Sequence, residues 1–286
     1  MYLHLIRHGP KNNDPNVHGT GVEALLDPSQ LHKIVNYGKY LQQRAGQSRS
    51  QRIILETTPV ERAKATAEVL YRTMIIQLEP AFSYVKPSVN PLIGSYAYDE
   101  QGKAVNLGPQ AMSKLWAEAK KSEHCNQFQG EHQPLYAWCE QGFDNKQANN
   151  PADPGISLRE ISCRIGTYVY QTLQEKENRD FITAIGHSGD IEPFLYLCLE
   201  MLEGRDGSNH DALTRHFKKT RGALEPLTGI GIAYDHSDLY LSHPSENSSK
   251  MFRKKIGIEL FQEQDNWLKE NGRSQQVLEK KIAGEK

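Results

Sequence analysis

The stretch Phe181-Ile182-Thr183-Ala184-Ile185-Gly186-His187-Ser188-Gly189 decides how the rest of the chain is read. Its first five residues form a short, nearly continuous apolar run rich in β-branched side chains, closed by glycine, which is the pattern of a fully buried strand. Beyond the turn, Ile191, Phe194, Leu195, Cys198, Leu199 and Leu202 recur at helical spacing. A strand, a tight turn and a helix therefore surround His187. Strands buried on both faces belong to sheets that helices cover on both sides.

Two similar runs stand upstream. Residues 2 to 6 are short and apolar and stop at Arg7-His8-Gly9-Pro10. Ile53-Ile54-Leu55 leads through Glu56-Thr57-Thr58-Pro59 into a helix with Val60, Ala63, Ala67, Leu70 and Met74 inward and Arg62 in its first turn. Asp27 as N-cap and Pro28 at the first helical position open a helix whose inner face reads Leu31, Ile34, Val35, Gly38 and Leu41. Ser157-Leu158-Arg159-Glu160 is a capping box for a helix with Leu158, Ile161, Ile165, Val169 and Leu173 inward. A further strand is expected around Ile75 to Leu78, then an irregular stretch punctuated by Pro80, Pro87, Pro91 and Gly94. Gly229 to Asp235 and Leu239 to His243 read as a hairpin.

From about residue 100 to 154 the composition turns to Gln, Asn, Lys and Glu, with one amphipathic helix through Met112, Leu115, Trp116 and Ala119. This predicts an insertion covering the site, with Trp116, Tyr136 and Trp138 as its small core or, alternatively, as the lining of a lid over the substrate. Residues 251 to 286 read as one or two charged helices. The alternation of strands and helices predicts a three-layer α/β/α fold with a mostly parallel central sheet and a helical insertion over the C-terminal edge of the strands. One domain is expected over residues 1–245, with a charged helical extension over 246–286.

Composition narrows the function classes. With 34 basic and 35 acidic residues among 286, the formal charge is −1, which argues against nucleic acid or a membrane surface recruited by bulk electrostatics. Any anion must be caught by a local cluster. Cys125, Cys139, Cys163 and Cys198 stand far apart with no CxxC pair, and the remaining histidines show no metal-ligand spacing, so reduced thiols and no metal or cofactor are expected. No basic n-region with an apolar core opens the chain, and no stretch approaches 18 apolar residues. The expectation is a cytoplasmic protein; oligomeric state is not legible.

Sites in parallel sheets collect outside the carboxyl ends of the strands. His8, Arg62 and His187 all follow predicted strands and so share that edge. A neutral imidazole is a good nucleophile toward phosphorus, and neighbouring guanidinium groups both favour the neutral form and bind phosphoryl oxygens. Arg7 and Arg62 suit both tasks, because their planar forks can hold two phosphate oxygens at once. His187, at a helix N-terminus, adds a donor where backbone N–H groups already favour an anion.

These blocks resemble the histidine phosphatase superfamily, the phosphoglycerate-mutase-like fold. Its strand-borne Arg-His-Gly stands here as Arg7-His8-Gly9, and its Ser-Pro-x-x-Arg-Ala-x-x-Thr-Ala helix start as Thr58-Pro59-Val60-Glu61-Arg62-Ala63-Lys64-Ala65-Thr66-Ala67. Gly155-Ile156-Ser157-Leu158 is similar to its Gly-Glu-Ser-Leu block, and Gly186-His187-Ser188-Gly189 to the turn of its second histidine. The resemblance, in order and spacing, covers residues 1 to about 245. It implies a metal-free phosphatase acting on a phosphorylated small molecule or phosphoprotein: His8 takes the phosphoryl group, water then releases it, and Arg7, Arg62 and His187 stabilise the charge. It leaves two alternatives, a mutase that returns the group to a bound sugar acid and a non-catalytic phospho-ligand-binding or scaffold protein.

The sequence also departs from the family. Members of the mutase-like branch carry a catalytic glutamate after the third strand, where Pro91-Leu92-Ile93-Gly94-Ser95 has no carboxylate. Asp99, beside Glu100, is the expected general acid, with Asp190 as its rival because another branch uses an acidic residue just after the second histidine. Ile156 replaces the glutamate of the third block. Asn13, in the loop after His8, is expected to hydrogen-bond a phosphate oxygen.

Overall fold

The computed structural model describes residues 1–12, 25–76, 82–98, 101, 104–106, 117, 119–121, 123, 125–128, 132–144, 156–176, 180–206, 210–219, 224–235, 238–244 and 251–272. In chain order the elements are β1 (Tyr2–Arg7), α1 (Leu31–Gln47), β2 (Arg52–Thr57), α2 (Glu61–Ile76), β3 (Ser83–Val89), β4 (Tyr96–Tyr98), β5 (Ala104–Asn106), α3 (His132–Glu140), α4 (Leu158–Glu175), β6 (Asp180–Gly186), α5 (Ile191–Leu202), α6 (His210–Lys219), β7 (Gly229–Asp235), β8 (Asp238–Pro244), β9 (Met251–Ile256) and α7 (Glu259–Asn271). Seven strands form one mixed sheet in the order β3-β2-β6-β1-β7-β8-β9. The first four run parallel, and β7, β8 and β9 continue antiparallel from β1.

Alternation along the central strands divides the core in two. Ile6, Ile53, Leu55, Phe181 and Ile185 face a cluster with Ile34 and Leu41 of α1 and Ala63, Ala67 and Leu70 of α2. Leu3, Leu5, Ile54, Ile182 and Ala184 face the opposite cluster with Ile161 and Ile165 of α4, Phe194 of α5 and Phe261 of α7. Each fully buried leucine or isoleucine contributes about 1.5–3 kcal/mol to holding a helix on the sheet. The helix starts are local: Asp27 accepts from Ser29 N at 3.0 Å to open the turn before α1, and Ser157 accepts from Glu160 N at 3.1 Å to open α4.

Three elements differ from the sequence reading. Ile75 and Ile76 end α2 rather than forming a strand; the third parallel strand is Ser83–Val89, inside the stretch read as irregular. Pro87 is tolerated there because β3 is an edge strand and its register with β2 shifts between Ile54 and Glu56, where a missing N–H is harmless. Residues 251–256 form edge strand β9 rather than a charged helix: Ile256 is buried beside Leu239, and Arg253 lies over the Tyr240 ring at 3.9 Å. Only then does the chain turn helical, burying Leu260, Phe261 and Leu268 of α7. In the expected insertion, α3 was not foreseen; its Tyr136 and Trp138 are buried, with Tyr136 packed on Phe128 and on Phe217 of α6. Met112, Leu115 and Trp116 lie outside the described residues. The hairpin is β7 and β8, and a Cβ at Gly229 would overlap the carbonyl of Leu5. Among the described residues no helix is long and apolar enough to cross a membrane.

Candidate active site

Parallel register brings three strand ends to one edge of the sheet. Arg7 pairs with Gly186, and Thr57 with Ile185. Just past those pairs the backbone N–H of His8 donates to Gly186 O and that of Thr58 to Ile185 O, both at 3.0 Å. His8 and His187 thus leave adjacent strands side by side, with ring centroids 4.5 Å apart at an interplanar angle of 77°. Arg62, in the first turn of α2, and Arg7, at the end of β1, are both near enough to bias the imidazoles electrostatically.

His8 is buried, and its Nδ1 lies 2.7 Å from Gly9 O. A carbonyl oxygen only accepts, so Nδ1 carries the hydrogen and Nε2 keeps its lone pair. Burial, then His187, then Arg62 push the His8 pKa down to about 2, against the smaller opposing pull of Gly9 and with a further push from Arg7. Burial, then Arg62 and Arg7, push that of His187 down to about 3. Both rings are neutral at physiological pH. Thr66 on α2 ties this side together: its Oγ1 accepts from Gly9 N at 2.9 Å and donates to Arg62 O at 2.8 Å.

The other side is built on buried ionisable groups: Arg164 and Glu192, which sequence reading missed, and Asp190, which it named as a rival acid. Arg164 of α4 is 1 % exposed and donates through Nε to Gly94 O at 3.0 Å and through Nη2 to Pro91 O at 3.1 Å and to Tyr96 O. It fixes the turn that lacks the expected glutamate. Asp190 packs against that turn from another part of the chain: its Oδ2 lies 2.5 Å from where a Gly94 Cβ would be, and Ser95 hydrogen-bonds it. Burial pushes the Asp190 carboxyl up to about 7, against the pull of Ser95. Glu192, also buried, accepts from Gly189 N at 2.8 Å, Leu224 N at 2.7 Å and Ser188 Oγ at 3.1 Å. Arg7 Nη1 in turn donates to Leu224 O at 2.7 Å. Two signals stood in the sequence unread: an arginine on the inward stripe of α4, and an acid in the first turn of α5.

The structure therefore brings Arg7, His8, Arg62 and His187 to one edge, with Asp190 beside the 91–96 turn. Asn13, Asp99 and Glu100 lie outside the described residues. A cavity of about 480 Å³ lies elsewhere, lined by Arg159, Met201, Arg205, Gln264 and Trp267 among others, and none of the four gathered residues lines it.

No family model matches the chain, and no curated protein matches it by sequence. Solved structures similar to it include the product of the open reading frame Rv3214 of Mycobacterium tuberculosis, with 14 % identity and a TM-score of 0.44 over 90 % of this chain and 95 % of that one. Phosphoglycerate mutase from Plasmodium falciparum is similar at 13 % identity and a TM-score of 0.35, over 89 % of this chain and 98 % of the other. A phytase from Klebsiella sp ASR1 is similar at 10 % identity and a TM-score of 0.36, over 92 % and 85 %. The residues that its own strands gather at one edge are those whose motifs resemble the histidine phosphatase superfamily.

Proposed function

We propose that the protein is a phosphoryl-transfer enzyme of the histidine phosphatase type, hydrolysing a phosphomonoester of a small molecule or phosphoprotein through a phosphohistidine on His8. One observation carries this reading: the bond from His8 Nδ1 to Gly9 O leaves Nε2 unprotonated within a cationic neighbourhood. In the first step the Nε2 lone pair attacks phosphorus, the bond from phosphorus to the leaving oxygen breaks, and a carboxyl group protonates that oxygen. In the second, water attacks phosphorus, the N–P bond breaks with its electron pair returning to Nε2, and the carboxylate takes the water's proton. Arg7, Arg62 and His187 stabilise charge on the equatorial oxygens, as the fixed electrostatics of phosphoryl transfer require.

The proton donor we assign first is Asp99, with Asp190 as the described alternative. A carboxyl with a pKa near 7 keeps its proton in about half of the molecules at neutral pH, which suits Asp190 to the acid's part. The four cysteines are buried thiols, in keeping with a cytoplasmic protein.

The test is release of phosphate from an aryl phosphate, with and without a chelator, by the wild type and by His8→Ala. The reading expects chelator-insensitive turnover that falls at least about 10³-fold in His8→Ala. Turnover that survives that substitution, or vanishes with the chelator, rejects it. Asp99→Asn and Asp190→Asn, compared on alkyl and aryl phosphates, identify the acid, because its loss slows poor leaving groups most.

A further inference from the structure

Glu192 stands outside the motifs that point to phosphoryl transfer, yet it touches both halves of the site. Its Oε2 accepts from Gly189 N, in the turn that carries His187, where Gly189 holds a φ of +89°. Its Oε1 accepts from Leu224 N, at the start of the strap from Leu224 to Thr228. That strap grips Arg7 at three points: Leu224 O accepts from Nη1 at 2.7 Å, Thr228 O accepts from Arg7 N at 3.0 Å, and Leu227 N donates to Arg7 O at 3.1 Å. Leu227, nearly buried, sits at φ +62°, a left-handed conformation that a leucine adopts only when its surroundings impose it.

We propose that Glu192 is a positioning residue, a buried carboxylate that sets the spacing between Arg7 and His187 by holding the strap and the turn with its two oxygens. This rests on the reading of the site as a phosphoryl-transfer centre. The geometry demands a carboxylate in particular. Each oxygen faces a backbone N–H, so a carboxamide can satisfy one of the two loops, but its NH₂ opposes the donor of the other. Aspartate, one carbon shorter, cannot span both. The loops so joined carry Arg7 and His187, which on this reading act on one phosphoryl group, and a displacement of about 1 Å between such groups costs on the order of 100-fold in rate.

The experiment compares wild type, Glu192→Gln and Glu192→Asp by melting temperature, by turnover of an aryl phosphate, and by the affinities for orthovanadate and inorganic phosphate. Vanadate mimics the five-coordinate transition state and phosphate the ground state, so their affinity ratio reports alignment rather than folding. The expected result is a ratio lowered at least about tenfold in Glu192→Gln, with kcat falling more than KM rises. In an Arg7→Ala or His187→Ala background the same substitution should have a clearly smaller effect. A lowered melting temperature with the ratio unchanged, or full additivity in both backgrounds, overturns the proposal. If Glu192→Gln does not fold, Glu192→Asp is judged by the same ratio. A wild type that binds vanadate and forms phosphohistidine while the variants keep its ratio rejects the role of Glu192 alone; a wild type that does neither rejects the reading beneath it.

Discussion

The two sides of the site are held by different chemistry. On the side of His8 and Arg62 the ties are neutral: a threonine hydroxyl joins Gly9 to Arg62, and a backbone carbonyl orients the His8 ring. On the side of His187 and the 91–96 turn the ties run through buried ionisable side chains, Arg164, Asp190 and Glu192, each no more than 5 % exposed. A neutral tie that is lost costs one hydrogen bond. A buried ion that loses its partner leaves an uncompensated charge, which costs several times more. The ionic side should therefore govern stability, and the cations of the site itself should govern turnover.

The largest effect is expected at Arg164. Arg164→Met keeps much of the volume but removes the donors to Pro91, Gly94 and Tyr96 and leaves Glu160 and Asp190 without their cation. Urea unfolding should show a loss of about 3–5 kcal/mol; a loss below about 1 kcal/mol would mean that the ions do not hold this side. Arg62→Ala should do the reverse. Removing one donor to the transferring group should lower turnover by about 10²–10³-fold, or about 2.7–4 kcal/mol. Its melting temperature should fall by less than that of Arg164→Met, because both imidazoles beside Arg62 are neutral at physiological pH and removing it leaves no buried charge on them unpaired. A melting temperature that drops as far as that of Arg164→Met while turnover persists would invert the comparison.

The same contrast explains what could be read from the sequence. Arg7, His8, Arg62 and His187 were legible because each follows an apolar run or opens a helix, and parallel pairing then aligns the strand ends whatever the details of packing. The ionic side was opaque because its partners are far apart along the chain: Arg164 answers to residues 91–96, and Glu192 to Leu224. No local spacing encodes those pairs. Tertiary override accounts for the fold differences as well. Ile75 and Ile76 have strand-like side chains, yet they continue a helix whose Leu70 and Met74 are buried, and β3 forms later at a proline-bearing edge. Strand β9 is polar enough to pass for a helix surface, since an edge strand needs only one apolar face.

On the neutral side, Thr66→Val is the corresponding test. It keeps the shape but leaves Gly9 N–H buried without its acceptor, so a loss of about 2 kcal/mol is expected by urea unfolding, with Thr66→Ser restoring most of it. A loss as large as that of Arg164→Met would erase the distinction between the two sides.

The smallest effect separates the two imidazoles from the buried Asp190 carboxyl by sign. His8 and His187 have folded pKa values depressed from 6.5 to about 2 and about 3, so the stability they contribute is present above pH 6.5 and is lost as pH falls toward those values. Asp190 has a folded pKa raised from 3.8 to about 7, so its contribution is complete below pH 3.8 and is lost as pH rises through about 7. Between about pH 4 and 6.5 the unfolded chain thus binds one more proton at each of the two imidazoles and one fewer at Asp190. These three groups together make stability rise with pH by about one proton's worth, about 1.4 kcal/mol per unit. Asp190→Asn removes the opposing carboxyl, so the slope of unfolding free energy against pH in this window should steepen by about 1.4 kcal/mol per unit, whatever the other groups contribute to both proteins. Urea titrations at half-unit steps measure it. An unchanged slope would place the Asp190 carboxyl in the ordinary range, ionised against Arg164, and would remove it from consideration as the proton donor.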